Sequence, residues 1–277
     1  MRKAVASVWV LSLGFLGPIA AADIRELLPE DVLQQIAAET SGEEAKRNLD
    51  TLTLQHRMRA SSQFDEATAH ILRKLESYGL DEARTVEYPA DGETLFGTQK
   101  SRPVWDVRFA ELWELGKEAG VTTRKRRLAN WEAMPLSLAQ DSLSGEATAT
   151  LIDIGAGTMD SDYAGKELRG KFVLTSSQPE DILERAVGAS GAAGIISYAP
   201  NQRSAWWRQD DRLVRWGHLG SFPKTKSFAF MISLAEARRF QERMAAGEEI
   251  LLHGKVDASP ASVPLILAVA NRYKPRL

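Results

Sequence analysis

The sequence predicts an α+β fold: a helical N-terminal segment followed by a β-rich domain with flanking helices. Two observations carry this. Apolar residues recur at helical spacing through 23–39, 43–54 and 65–78. From 147 to 199, short β-branched and apolar runs then alternate with glycine-bearing turns, and a further run at 229–233 precedes a helix at 234–246.

Taken in order, 1–22 reads as a signal peptide. Arg2 and Lys3 give a positive start, 4–16 is apolar, and Ala20-Ala21-Ala22 offers a small-residue cleavage site before Asp23. The alternative is an uncleaved anchor, for which the apolar run is short. The expected location is secreted or periplasmic, with no membrane contact after cleavage.

In 23–39, Leu27, Leu28, Val32, Leu33 and Ile36 form one face, with a start at Pro29. Ser41-Gly42 is a break with an N-cap, and the helix of 43–54 carries Ala45, Leu49, Leu52 and Leu54. Residues 56–64 lack periodicity. Asp65 is the expected cap of a helix reaching Tyr78, with Ala69, Leu72 and Leu75 on one side and Gly79 as its stop. Residues 84–88 read as a strand.

Residues 90–142 are less regular. The stretch 104–115 alternates in part as a strand does, whereas 112–120 fits a short helix equally well. The basic run 123–127 reads as a solvated turn near an acidic face. Strands follow at 148–154, 172–174 and 194–198, with a helix at 180–189. The run 263–270 is a buried strand that needs a partner; it pairs within 84–115 or leaves apolar surface open.

The chain has 277 residues, 44% hydrophobic and 26% charged, enough for a proper core. Its formal net charge of −2 gives no reason to expect a nucleic-acid partner. It has no cysteine, so disulfides and thiolate metal sites are excluded.

Two separated motifs carry a resemblance. Asp162-Tyr163-Ala164-Gly165 with Leu168-Arg169-Gly170-Lys171-Phe172-Val173-Leu174, and then Gly191-Ala192-Ala193-Gly194-Ile195-Ile196, resemble the protease-associated domain. Upstream, Arg57-Met58-Arg59-Ala60-Ser61, a helix, Gly79-Leu80 and Glu87-Tyr88-Pro89 resemble the opening of the two-zinc aminopeptidases, the family that includes glutamate carboxypeptidase. Pro103-Val104-Trp105-Asp106 and Ala110-Glu111-Leu112-Trp113 are similar to segments of bacterial members. That family inserts a protease-associated domain after such an opening. The resemblance implies a peptidase-like portion at 23–142, a protease-associated domain at 143–258 and a truncated tail at 259–277.

Zinc is expected in full-length relatives, where its ligands follow the inserted domain from an H-x-D segment. Here His56, His70, His218 and His253 each lack an aspartate two residues on, no H-E-x-x-H occurs, and 259–277 contains no histidine, aspartate or glutamate. No catalytic, cofactor-binding or metal residue is therefore assigned. Gly188-Ala189-Ser190-Gly191-Ala192 lacks the last glycine of a nucleophile elbow. Gly155-Ala156-Gly157 lacks the third glycine of a dinucleotide site. The loop at Asp160, Asp162 and Gly165 has Lys171 where a calcium loop needs glutamate.

One candidate interaction surface stands out. The long polar stretch 201–226 holds Trp206, Trp207, Arg208, Arg212 and Trp216, suited to contact with a peptide, a glycan or a partner domain. The stronger alternative is that these tryptophans pack the loop onto its own domain or onto the peptidase body. The expected function is peptide or peptidase-domain contact rather than bond cleavage. The alternatives are a piece of a zinc-dependent aminopeptidase and a peptide- or glycan-binding module using the Trp/Arg loop.

Overall fold

The computed structural model describes residues 28–118, 120–199, 210–259 and 265–269. The signal-peptide reading of 1–22 lies outside these residues, as do Trp206, Trp207 and Arg208. The chain divides into two compact units, up to Thr51 and from Leu52 onward.

The first unit is helical. α1, Glu30–Glu39, starts directly after Pro29, which presets φ and lacks an N–H that the first turn would leave unpaired. α2, Gly42–Thr53, is preceded by Ser41, whose Oγ accepts from the Glu44 N–H at 3.1 Å. Neither helix buries a residue.

The second unit opens with α3, Ser62–Ser77. Its cap is Ser61, which accepts from the Phe64 N–H at 3.2 Å; Asp65 lies inside the first turn, correcting its expected role as cap. Gly79 ends the helix at φ +73°, with the Leu80 N–H reaching back to the Leu75 carbonyl. β1, Arg84–Tyr88, then pairs antiparallel with β11, Leu265–Val269, and so supplies the partner that the apolar run required. β2, Leu95–Phe96, and β3, Gln99–Lys100, form a small hairpin.

The main sheet has seven strands in the order β5-β4-β10-β6-β7-β8-β9. These are β4 Asp106–Glu118, β5 Val121–Asn130, β6 Gly145–Asp153, β7 Phe172–Thr175, β8 Gly194–Ser197, β9 Ala229–Met231 and β10 Leu251–Ser259. The β5-β4-β10-β6 half is antiparallel and the β6-β7-β8-β9 half is parallel. The sheet crosses the division at 142/143 read from the sequence, because β4 and β5 precede it.

Strand periodicity explains the core. Phe172, Leu174, Ile196 and Phe230 face one apolar cluster, while Val173, Ile195, Ala229 and Met231 face the other. The first cluster is covered by Ala237 and Phe240 of α5, Leu234–Ala245, and the second by Ile182 and Leu183 of α4, Pro179–Leu183. Parallel strands covered on both faces read as uninterrupted apolar runs. The helix expected over 180–189 is α4 continued by a π-helical segment, Glu184–Ala189.

Two expectations are revised in β4 and β5. The ambiguous 112–120 stretch is strand through Glu118. The basic run 123–127 lies within β5 rather than in a turn; Arg126 bonds Glu114 and Glu236, and Arg127 bonds Glu111. Cross-strand acidic partners hold these charges in the ladder.

Candidate functional site

Arg59 anchors the site. Ala60 at φ +54° and the Ser61 cap turn the chain sharply into α3, leaving Arg59 at the corner. Its Nη2 donates to Asp141 Oδ1 at 2.7 Å and to Ser221 Oγ at 3.0 Å. Ser221 Oγ donates to Asp141 Oδ2 at 3.2 Å, and Gln140 Nε2 donates to the same oxygen at 3.3 Å. The Arg59 and Asp141 side chains are 17% and 9% exposed. Burial lowers the Arg59 pKa from its ordinary value; Asp141 opposes this and nearby Arg102 adds to it. The Arg59 Nε is buried without a hydrogen-bond partner.

Beside Arg59 is a cavity of about 410 Å³, bordered by Tyr88, Phe96, Lys100 and Arg102. The Tyr88 and Phe96 rings meet edge to face at 6.0 Å, and both residues remain exposed. Lys100 Nζ lies 5.3 Å from the centre of the Phe222 ring.

Phe222 ends a strap, 216–222, fixed from two directions. The Gln140 N–H donates to the Gly217 carbonyl, and the Leu219 N–H donates to the Gln140 carbonyl. The Glu180 N–H donates to the His218 carbonyl at 3.0 Å, and His218 Nδ1 lies 2.7 Å from Glu180 Oε2. Gly220, at φ +80°, leaves room for Glu180: an added Cβ would lie 2.8 Å from its Oε1. Trp216 stands at the other end, 45% exposed, with its ring 4.9 Å from that of His218. The strap thus joins Trp216 at one end to Phe222 at the other, and Phe222 meets the cavity through Lys100.

Of the interaction residues expected from sequence, Trp216 is exposed at the start of the strap. Arg212 does not line the Arg59 cavity: its N–H bonds the Asp210 carboxylate at 2.9 Å, and it borders a separate hollow with Asp211 and Arg238. Trp206, Trp207 and Arg208 lie outside the described residues. Tyr88, Phe96, Lys100, Arg102 and Phe222 were not singled out as interaction residues; the usable signal was aromatic residues in a short glycine-containing hairpin and at the end of the polar stretch.

The histidines lie on separate elements. His56 sits against Trp131 and Trp105, His70 is on α3, His218 is on the strap, and His253 on β10 bonds Thr148 Oγ1 at 2.8 Å. Among the described residues no group of three or more histidine, aspartate or glutamate side chains converges to hold a metal. The described donors thus do not fit the zinc site of the two-zinc aminopeptidases, and no chemical step through zinc is assigned to them.

No protein-family model and no curated protein matches the chain. Among solved structures, it is similar to a peptidase M28 precursor from Shewanella amazonensis, at 17% identity over 87% of this chain and 53% of that one, with a TM-score of 0.53. The fold is peptidase M28-like. An aminopeptidase from Aneurinibacillus sp. strain AM-1 aligns at 23% identity over 84% of this chain and 48% of that one, with a TM-score of 0.46. The zinc aminopeptidase BSAP from Bacillus subtilis aligns at 15% identity over 81% and 45%, with a TM-score of 0.48. The chain spans about half the length of these solved structures. No helix among its described residues is long and apolar enough to cross a membrane.

Proposed function

We infer that this chain is an exported, contact-making part of a peptidase-like protein, and that it holds a peptide or a neighbouring peptidase domain on the face from Trp216 to the Arg59 cavity. The observation that carries this reading is the strap and its tie to the cavity. Two exposed aromatics, Trp216 and Phe222, sit on one strap, and the strap is tied through Ser221 to the Arg59–Asp141 pair. Tryptophan and arginine side chains are among those that most often carry the binding energy of an interface. The strand and helix order across 143–258, with its parallel β6-β7-β8-β9 half, supports a protease-associated domain.

The test is binding of the purified chain to arrayed peptides, compared with a Trp216→Ala, Phe222→Ala double variant. Both side chains are about half exposed, so the variant is expected to retain its melting temperature and lose binding. Retention of binding by the variant would sink the assignment of this face.

The M28-like fold favours a second reading, in which the chain serves in zinc-dependent aminopeptidase action. The undescribed residues of this chain hold no histidine, so zinc ligands would then have to come from a separate polypeptide. The test is release of p-nitroaniline from leucine p-nitroanilide by a zinc-loaded peptidase domain with and without this chain. Chelator-sensitive release that rises when the chain is added would support this reading, and release indifferent to the chain would sink it.

A further inference from the structure

The chemistry of the Arg59 cavity narrows what this face takes. Arg59, Lys100 and Arg102 border it, and no acidic side chain among the described residues does. Asp141 and Ser221 both accept from Arg59 Nη2, and the Arg59 Nε is buried without a partner. Arg59 and Arg102 are close enough to repel one another. An anion beside them offsets that repulsion, and a carboxylate matches a guanidinium with two parallel hydrogen bonds. Tyr88 and Phe96 add exposed aromatic surface at the same cavity, so a ligand that is anionic at one end gains by being apolar at the other.

We propose that this cavity binds the C-terminal end of a short peptide, with the free α-carboxylate at Arg59 and Arg102 and a bulky apolar last side chain against Tyr88 and Phe96. A cavity of about 410 Å³ is of the size that holds small ligands. The inference rests on the reading of this face as a peptide-contact surface and names the end of the peptide that it takes.

The probe is acetyl-Ala-Phe, titrated calorimetrically into the full chain beside its C-terminal amide and acetyl-Ala-Gly. The free acid is expected to bind about tenfold more tightly than the amide, which lacks the charge. It is expected to exceed acetyl-Ala-Gly by a similar factor, about tenfold, because glycine leaves the aromatic surface uncovered. Arg102→Gln and Phe96→Ala alter exposed side chains, so each is expected to weaken acetyl-Ala-Phe binding with the melting temperature unchanged. Equal affinity for acid and amide, no binding of the acid, or indifference to both substitutions would overturn the inference.

Its failure is separable from that of the broader reading. Amidated peptides that bind the array and are lost in the Trp216→Ala, Phe222→Ala variant would leave the contact surface standing and remove the carboxylate site. Binding of acetyl-Ala-Phe without binding of any longer peptide or peptidase domain would do the reverse.

Discussion

Arg243 Nη1 donates to Glu114 Oε1 at 2.7 Å and so ties α5 to the interior of β4. Glu114 is only 1% exposed and also accepts from Arg126 at 3.2 Å, with Arg239 and Lys125 within 4 Å. Removing this carboxylate leaves several cations facing one another. Arg126 and Arg243 keep Glu236 and Glu248, however, and the cations are partly solvated. Glu114→Ala is therefore expected to cost about 3 kcal/mol, the low end for breaking a buried pair. Urea unfolding checks this; a loss well under about 1 kcal/mol would place Glu114 among ordinary surface ion pairs. Burial alone pushes the Glu114 carboxyl upward, but the Arg243 and Arg126 donors outweigh it and hold it below the ordinary range. A depressed carboxyl gives its full stabilisation above the unfolded value, about 4.3. The gap between wild type and variant should thus narrow as pH falls below that value.

Gly194 opens β8 where an added Cβ would lie 2.9 Å from the Phe172 ring and 3.2 Å from that of Phe228. Neither ring is free to yield. Both belong to the cluster containing Phe230, in which Phe172 meets Phe228 at 6.1 Å and Phe228 meets Phe230 at 6.0 Å. Gly194→Ala is expected to destabilise by about 1–3 kcal/mol through overpacking. Thermal unfolding checks this, and an unchanged melting temperature would show that the rings shift without cost.

The parallel half of the sheet was legible because Phe172-Val173-Leu174 and Gly194-Ile195-Ile196 are apolar on both faces, and turn glycines bound them. β4 was legible only in part, as the alternation over 104–115, and β5 was not, for a definite reason. Glu114 occupies a buried position that any hydropathy pattern assigns to the surface, and its place depends on arginines of β5 and α5. Periodicity cannot carry information about partners that distant. The site divides in the same way. Trp216 stood out as an aromatic in a polar stretch, and Arg59 lay in a quoted motif. What joins them is Asp141, 82 residues from Arg59, and Ser221, 162 residues away.

His56 packs edge-on against Trp131, with ring centres 4.8 Å apart, and its buried Nδ1 has no partner. Burial, and then the charge of Arg57, lowers its pKa from the ordinary value. The unfolded chain therefore takes up this proton first. Stability from the neutral ring is complete above about pH 6.5 and declines as pH falls from there towards the lower folded value. His56→Phe keeps a ring and removes the titration. Melting temperatures between about pH 7.5 and about pH 5 should therefore fall more steeply for wild type than for the variant. Parallel curves would show that His56 gains its proton without opposing the fold.

Asp141 sits at φ +65°, a left-handed conformation that asparagine tolerates well. Asp141→Asn thus removes the charge and leaves the backbone unstrained. Arg59 keeps Ser221 but loses its only ion-pair partner among the described residues while remaining mostly buried. The expected loss is about 2 kcal/mol, below that of a fully buried pair because Arg59 borders the open cavity. Asp141→Ala should lose about 1 kcal/mol more, since alanine at positive φ adds strain to the same loss of charge. The two effects of the asparagine variant run in opposite directions. Stability falls, yet the cavity gains net positive charge, so acetyl-Ala-Phe should bind more tightly than to wild type. Calorimetric titration beside thermal unfolding reads both. Weaker binding would mean that Asp141 holds Arg59 in the orientation that receives the carboxylate, and that this positioning outweighs the charge it neutralises.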